Sequence, residues 1–184
     1  MMTRGFKEVS PQFKRNEAII ALPLKATRNS AGYDFVTPID IDIPPQSKVS
    51  FYTDIKAYMG ENEALLMLPR SSSGIKHDLE LANSVVVGDG DFYENPENDG
   101  NYKIVLWNRR PKFDWDGDEE ITFMNQYGQP MQVTIPFMID LTEENTVHVK
   151  AGDRLIQGLF IETLPSDQGQ SDVVRTGGIG HTGK

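Results

Sequence analysis

The chain is a succession of short apolar stretches, each broken by Pro, Gly, Asn or Asp. Ile39-Asp40-Ile41-Asp42-Ile43 alternates strictly and then meets Pro44-Pro45. A period of two puts the isoleucines on one face of a strand, and proline ends the ladder. Val49 to Ile55, Ala64 to Leu68, Ile104 to Trp107 and Leu155 to Ile161 read as further strands. The helical period is scarce, and no internal repeat is visible. Many short strands separated by turn residues predict an all-β fold, a β-barrel or jelly roll.

Two stretches stand outside this rhythm. Residues 94–101 (Glu-Asn-Pro-Glu-Asn-Asp-Gly-Asn) form a polar, turn-rich loop. Residues 109–146 are acidic and carry apolar runs of their own. Ile121 to Met124 and Gln132 to Ile135 flank Tyr127-Gly128-Gln129-Pro130, which predicts a β-hairpin inserted into the domain. From Ser166 onward the chain is rich in Gly, Ser, Asp and Thr, the composition of a flexible C-terminal arm that orders over a ligand.

The length of 184 residues fits one domain, 1–184, carrying the insertion at about 109–146 and the arm at about 166–184. The absence of cysteine excludes disulfides, thiolate zinc sites and a cysteine nucleophile. His77, His148 and His181 show no metal-ligand spacing. A net charge of −9 disfavours nucleic acid and anionic membrane as partners. No long apolar run opens the chain, so neither a signal peptide nor a membrane span is expected, and the cytoplasm is the default location.

The chemistry concentrates in two segments. Pro69-Arg70-Ser71-Ser72-Ser73-Gly74 places an arginine beside small hydroxyls in an expected tight turn, a pairing suited to phosphate oxygens. Asn83-Ser84-Val85-Val86-Val87-Gly88-Asp89-Gly90-Asp91-Phe92 delivers a carboxylate at the end of an apolar run, with an aromatic ring after it. A carboxylate so placed orients a water as general base. Together they predict a nucleotide site that hydrolyses a phosphoanhydride. Because the chain is acidic, a site for nucleotide phosphates needs local cations and a divalent metal.

Three more segments complete a set: Ala31-Gly32-Tyr33-Asp34-Phe35, then Gly152-Asp153-Arg154-Leu155-Ile156-Gln157-Gly158, then Arg175-Thr176-Gly177-Gly178-Ile179-Gly180-His181-Thr182-Gly183. In this order the five motifs resemble those of the homotrimeric dUTP pyrophosphatases (dUTPases), spanning nearly the whole chain. The extended loop from Phe92 to Gly100 resembles that of Gram-positive and prophage members.

The resemblance implies hydrolysis of dUTP to dUMP and diphosphate. This limits uracil incorporation into DNA and supplies dUMP for thymidylate synthesis. It implies Mg²⁺, a homotrimer with shared active sites, and the dUTPase-like barrel. By the same resemblance Asp89 activates the attacking water, and Asp34 helps place the magnesium through a metal-bound water. Arg70, Ser71, Ser72 and Gln157 meet the phosphates, and Arg175 clamps them. Asn83 and the backbone of Val87, Gly88 and Asp89 match the uracil and sugar hairpin, and Phe92 the ring that packs on deoxyribose. Gly178, Ile179 and Gly180 belong to the arm over the nucleotide.

Several positions depart from the family pattern. Ser72, Val86 and Glu94 stand where glycine is usual, Gly88 where isoleucine is usual, and Ile179 where an aromatic ring stacks on uracil. Arg175 is one residue nearer the Gly-Gly pair than in the commonest version. Asp91 is a rival to Asp89 as the base. Two other readings remain at this point. One is a catalytically weak homologue that binds a regulatory protein partner through 109–146, where Trp115 lies between Asp114 and Asp116. The other is a dCTP deaminase, which shares the fold and needs a glutamate base.

Overall fold

Antiparallel pairing organises every sheet of the protein. The structure, a computed structural model, describes residues 3–18, 20–169 and 175–177. One four-stranded sheet has the order β2 (Tyr33–Val36), β13 (Arg154–Glu162), β6 (Glu63–Pro69), β8 (Val86–Asp89). A three-stranded sheet joins β4 (Lys48–Tyr52), β9 (Lys103–Asn108) and β7 (Leu79–Leu81). Two smaller pairs, β1 (Gly5–Glu8) with β5 (Ile55–Tyr58) and β3 (Ile41–Ile43) with β12 (Val147–Val149), complete the body.

Alternation decides which side chains meet. Ile41 and Ile43 point inward while Asp42 stays exposed, and Ile104 and Leu106 do the same in β9. These side chains join Leu65, Met67, Leu79 and Ile156 in one buried cluster between the sheets. A bulge lies between Arg154 and Ile156 where β13 meets β2. It lets the consecutive Leu155 and Ile156 both turn inward.

Val49 to Ile55, read from sequence as one strand, is two. β4 ends at Tyr52 and β5 starts at Ile55, with Asp54 in the left-handed region at φ 54°. The break is made by distant donors. The fully buried Asp54 carboxylate accepts the N–H of Arg15 at 2.9 and 3.1 Å and that of Asn16 at 2.8 Å. It also accepts the side-chain amides of Asn16 and Asn101, each at 2.8 Å. The backbone N–H of Asp54 donates to Asn101 Oδ1 at 3.0 Å.

A second buried polar group ties the 94–101 loop to β5. Lys56 Nζ lies 2.9 Å from Asp99 Oδ1 and 3.1 Å from Glu94 Oε1, and Asp99 Oδ2 accepts the Ser10 N–H at 2.6 Å. Burial works against both charges. The Ser10 N–H and the Lys56 ammonium nevertheless hold Asp99 below its ordinary range, and the carboxylates hold Lys56 above its own. The stabilisation from a lowered carboxyl is present above its unfolded pKa and is lost as pH falls through the folded one. That from a raised ammonium is present below its unfolded pKa and is lost only as pH rises through the folded one. The urea midpoint is therefore expected to hold from neutral pH down to about 5 and to fall below about 4. Lysine adds no step until roughly pH 10. A midpoint unchanged at pH 3 contradicts this assignment.

The predicted hairpin is present and longer than its apolar runs: β10 (Phe113–Met124) pairs with β11 (Pro130–Asp140) around the Tyr127-Gly128 turn. Its register sets Ile121 opposite Val133 and Phe123 opposite Met131. Ile135 and Phe137 follow on the same face by alternation. All of these side chains are exposed, and Trp115, near the base of the ribbon on β10, is 62% exposed.

Candidate functional site

The first cluster gathers around Asp34. The strand β13 runs between β2 and β6, so Gln157 pairs with Asp34 on one side and Leu68 on the other. Arg70 follows β6 directly. Its N–H bonds Leu155 O at 2.8 Å, and Ser73 Oγ donates to the same carbonyl at 2.9 Å. These bonds fold Ser71–His77 into a short helix, α1, where the sequence reading expects only a turn. The anchored Arg70 places Nε 3.2 Å from Asp34 Oδ1. Arg154 comes within 3.6 Å of Asp34 Oδ2. Asp34 is buried, and among the described residues its Oδ2 has no hydrogen-bond partner.

A cavity of about 220 Å³ opens here, lined by Ser30, Gly32, Asp34, Arg70, Ser71 and Gln157 among others. A Cβ on Gly32 would come within 2.7 Å of Gln157 Oε1, so the small residue in Ala31-Gly32 makes room for the amide. Ser72 is half-buried behind Ser71 in the first turn of α1. The cluster presents a guanidinium, a hydroxyl and an amide together, donors matched to phosphate oxygens.

The second cluster surrounds Asp89, at the end of β8 and opposite Ala64 of β6. The strand alternates: Val87 and Asp89 face out, while Gly88 is buried against the core. A 3-10 turn, Gly90–Phe92, then directs Asp91 outward and Phe92 inward. Arg175 of the arm lies over this turn, with Nη2 2.5 Å from Asp89 Oδ2 and Nε 2.9 Å from Asp91 Oδ1. Its guanidinium stands 5.7 Å from the Phe92 ring centre. Phe92 is itself buried, tilted on Tyr102 at 5.1 Å. A cavity of about 520 Å³ lies beside Asp89, lined also by Met59, Glu61, Glu63, Asp91 and Thr163.

Asn83 and Ser84 form an exposed turn between β7 and β8. Ser84 borders a third, smaller cavity with Pro69, Glu80 and Leu81. Gly178, Ile179 and Gly180 lie outside the described residues.

The two clusters share one ruler. Gln157 faces Leu68 and Asp89 faces Ala64 on β6, about 13 Å apart at the usual rise per strand residue. Within one chain, therefore, Asp34, Arg70, Ser71 and Gln157 come together, and so do Asp89, Phe92 and Arg175, but the Arg70, Ser71 and Gln157 donors stand apart from the Asp89 carboxylate. Sequence reasoning misses Tyr102, which packs beneath Gly88. The signal was available as a glycine in a strand position where a bulky residue belongs.

An all-β scaffold carrying an arginine–hydroxyl–amide cluster, a strand-end carboxylate and an arginine-bearing arm fits a nucleotide phosphohydrolase. The comparisons make this specific. A sequence model of the dUTPase family matches residues 18–113. The deoxyuridine 5′-triphosphate nucleotidohydrolase of Lactococcus lactis is 34% identical over 185 residues, covering 100% of this chain and 99% of that one. That of Acinetobacter baylyi is 30% identical over 171 residues, covering 89% and 88%. The crystal structure of the dUTPase from Streptococcus mutans superposes with a TM-score of 0.61 at 29% identity, covering 89% of this chain and 99% of that one. The dUTPase of S. aureus phage phi11 shares the fold, with a TM-score of 0.61 at 18% identity.

The chain belongs to the dUTPase family. It has the family's all-β fold and its activity, the hydrolysis of dUTP to dUMP and diphosphate.

Proposed function

We propose that Asp89 is the general base of this hydrolysis and that each active site is assembled between copies of the chain. Asp89 takes the proton of a water that attacks the α-phosphorus, and the bond to the bridging oxygen of diphosphate breaks. Arg70, Ser71, Ser72 and Gln157 donate to the triphosphate, and their charge and dipoles oppose the negative charge that develops on it. Arg175 leaves the carboxylates of its resting contact for the phosphates. Asn83 and the backbone of Val87 and Gly88 hold the base and sugar. The observation that carries this reading is the separation of donors and carboxylate along β6. A second copy bringing its donors to the first copy's Asp89 closes that gap, and a homotrimer is the symmetric way to close it at every site.

Magnesium fits the first cluster. Asp34 Oδ2 is a buried acceptor with no hydrogen-bond partner among the described residues, suited to a water on a hard, oxygen-preferring cation. The adjoining arginines favour contact through water over direct ligation. When bound, Mg²⁺ neutralises part of the triphosphate charge. The reading is tested by diphosphate release from dUTP, dCTP, dTTP and UTP with Mg²⁺ and with EDTA. Expected is dUTP-selective turnover that EDTA reduces by at least about tenfold. Equal turnover of dUTP and dCTP, or full activity in EDTA, sinks it.

A further inference from the structure

Gly88 and Tyr102 form a pair whose buried hydroxyl core packing does not explain. Tyr102 precedes β9, and its backbone is fixed at both groups: its N–H donates to Ile55 O and its carbonyl accepts from Thr53 N–H at 2.9 Å. The side chain is 3% exposed and lies along Phe92. Its hydroxyl runs up to β8 at Gly88. A Cβ at that position would collide with Tyr102 Oη and stand 2.8 Å from Cε1. Glycine weakens a strand interior, so its presence one residue before the base serves the tyrosine.

The hydroxyl has no hydrogen-bond partner among the described residues. Phenylalanine would fill the same ring volume without burying an unsatisfied donor, which costs stability. The oxygen is therefore retained for something other than packing. It lies beneath the strand end that bears Asp89, and the Asp89 charge reaches it: burial first, then that carboxylate, push the phenol above its ordinary range, against Arg175. The group stays a neutral donor at every working pH.

We propose that Tyr102 is a positioning residue for the base: its hydroxyl, brought under β8 by the space at Gly88, donates to the Asp89 carboxylate, directly or through one water, once Arg175 moves to the triphosphate. In the resting contact Arg175 supplies the donors to Asp89 and Asp91. When it leaves, the carboxylate faces Asp91 and, across the neighbouring cavity, Glu61 and Glu63, the last paired with Arg4. A hydrogen bond from Tyr102 then takes the place of the departing guanidinium and fixes the orientation of the carboxylate.

This inference rests on Asp89 being the base. The test compares wild type, Tyr102→Phe and Asp89→Asn on dUTP, with kcat and KM measured from pH 5 to 9 and thermal stability alongside. Tyr102→Phe is expected to fold at least as stably, keep KM within about twofold and lower kcat about tenfold. Its acid limb should move up by about one pH unit, the shift for losing one hydrogen bond to the charged form. An unmoved acid limb, whether or not kcat falls, overturns the proposal, because a packing role leaves the pH profile in place. Collapse of Asp89→Asn with an unmoved limb in Tyr102→Phe refutes this inference alone. Turnover retained in Asp89→Asn refutes the base assignment on which it stands.

Discussion

Asp89→Asn is expected to lower kcat on dUTP by about 10³-fold, within the range general-base catalysis supplies, while KM changes only a few-fold. The amide keeps the shape of the carboxylate but cannot take the proton of water. Asp91 is the informative control. It shares Arg175 with Asp89, at 2.9 Å from Nε, so a purely electrostatic role for the acidic pair makes the two substitutions equivalent. Asp91→Asn is expected to cost about tenfold or less, the size of a weakened charge contact rather than a lost base. Diphosphate release at saturating dUTP distinguishes them. An Asp89→Asn variant retaining more than about a tenth of wild-type kcat does not fit a general base.

The largest expected effect on stability is at Asp54. Asp54→Ala removes the acceptor for the backbone N–H groups of Arg15 and Asn16 and the side-chain amides of Asn16 and Asn101. Each buried donor left unpaired costs about 1–3 kcal/mol. Alanine at φ 54° adds about 1 kcal/mol of backbone strain. Allowing for water reaching the less buried donors, a loss of about 4 kcal/mol is expected, read as the shift of a urea unfolding curve. Asp54→Asn keeps one acceptor oxygen and a residue type that tolerates the left-handed region, so about half that loss is expected. A loss below about 1 kcal/mol for the alanine variant means that these hydrogen bonds do not secure the corner.

These two residues also mark how far sequence reasoning reaches into the fold. Asp89 was legible because its chemistry is local: an apolar run, a carboxylate, then a ring at fixed spacing. The strands β3, β6, β9 and β13 were legible for the same reason, since their alternation or apolar runs show in the residues themselves. Asp54 was not, because the donors that break the strand there come from residues 15, 16 and 101. The helix α1 was hidden too: Ser-Ser-Ser-Gly has poor helical propensity, and the contacts of Arg70 and Ser73 with Leu155 hold it. Phe92 reads from sequence as a ring against sugar, while the structure buries it between Tyr102 and Arg175. The link between Gly88 and Tyr102 joins separate strands, and only the glycine left a trace in the sequence.

Whether donors and base meet between copies of the chain is measured directly by complementation. Arg70→Ala and Asp89→Asn are each expected to be nearly inactive alone. When the two are co-expressed and form mixed trimers, some sites combine an intact Arg70 from one chain with an intact Asp89 from another. Random mixing then restores up to roughly a quarter of wild-type turnover. If the mixed preparation, verified to contain both chains in one oligomer, stays as inactive as either parent, then donors and base act within a single chain and the shared-site account is wrong.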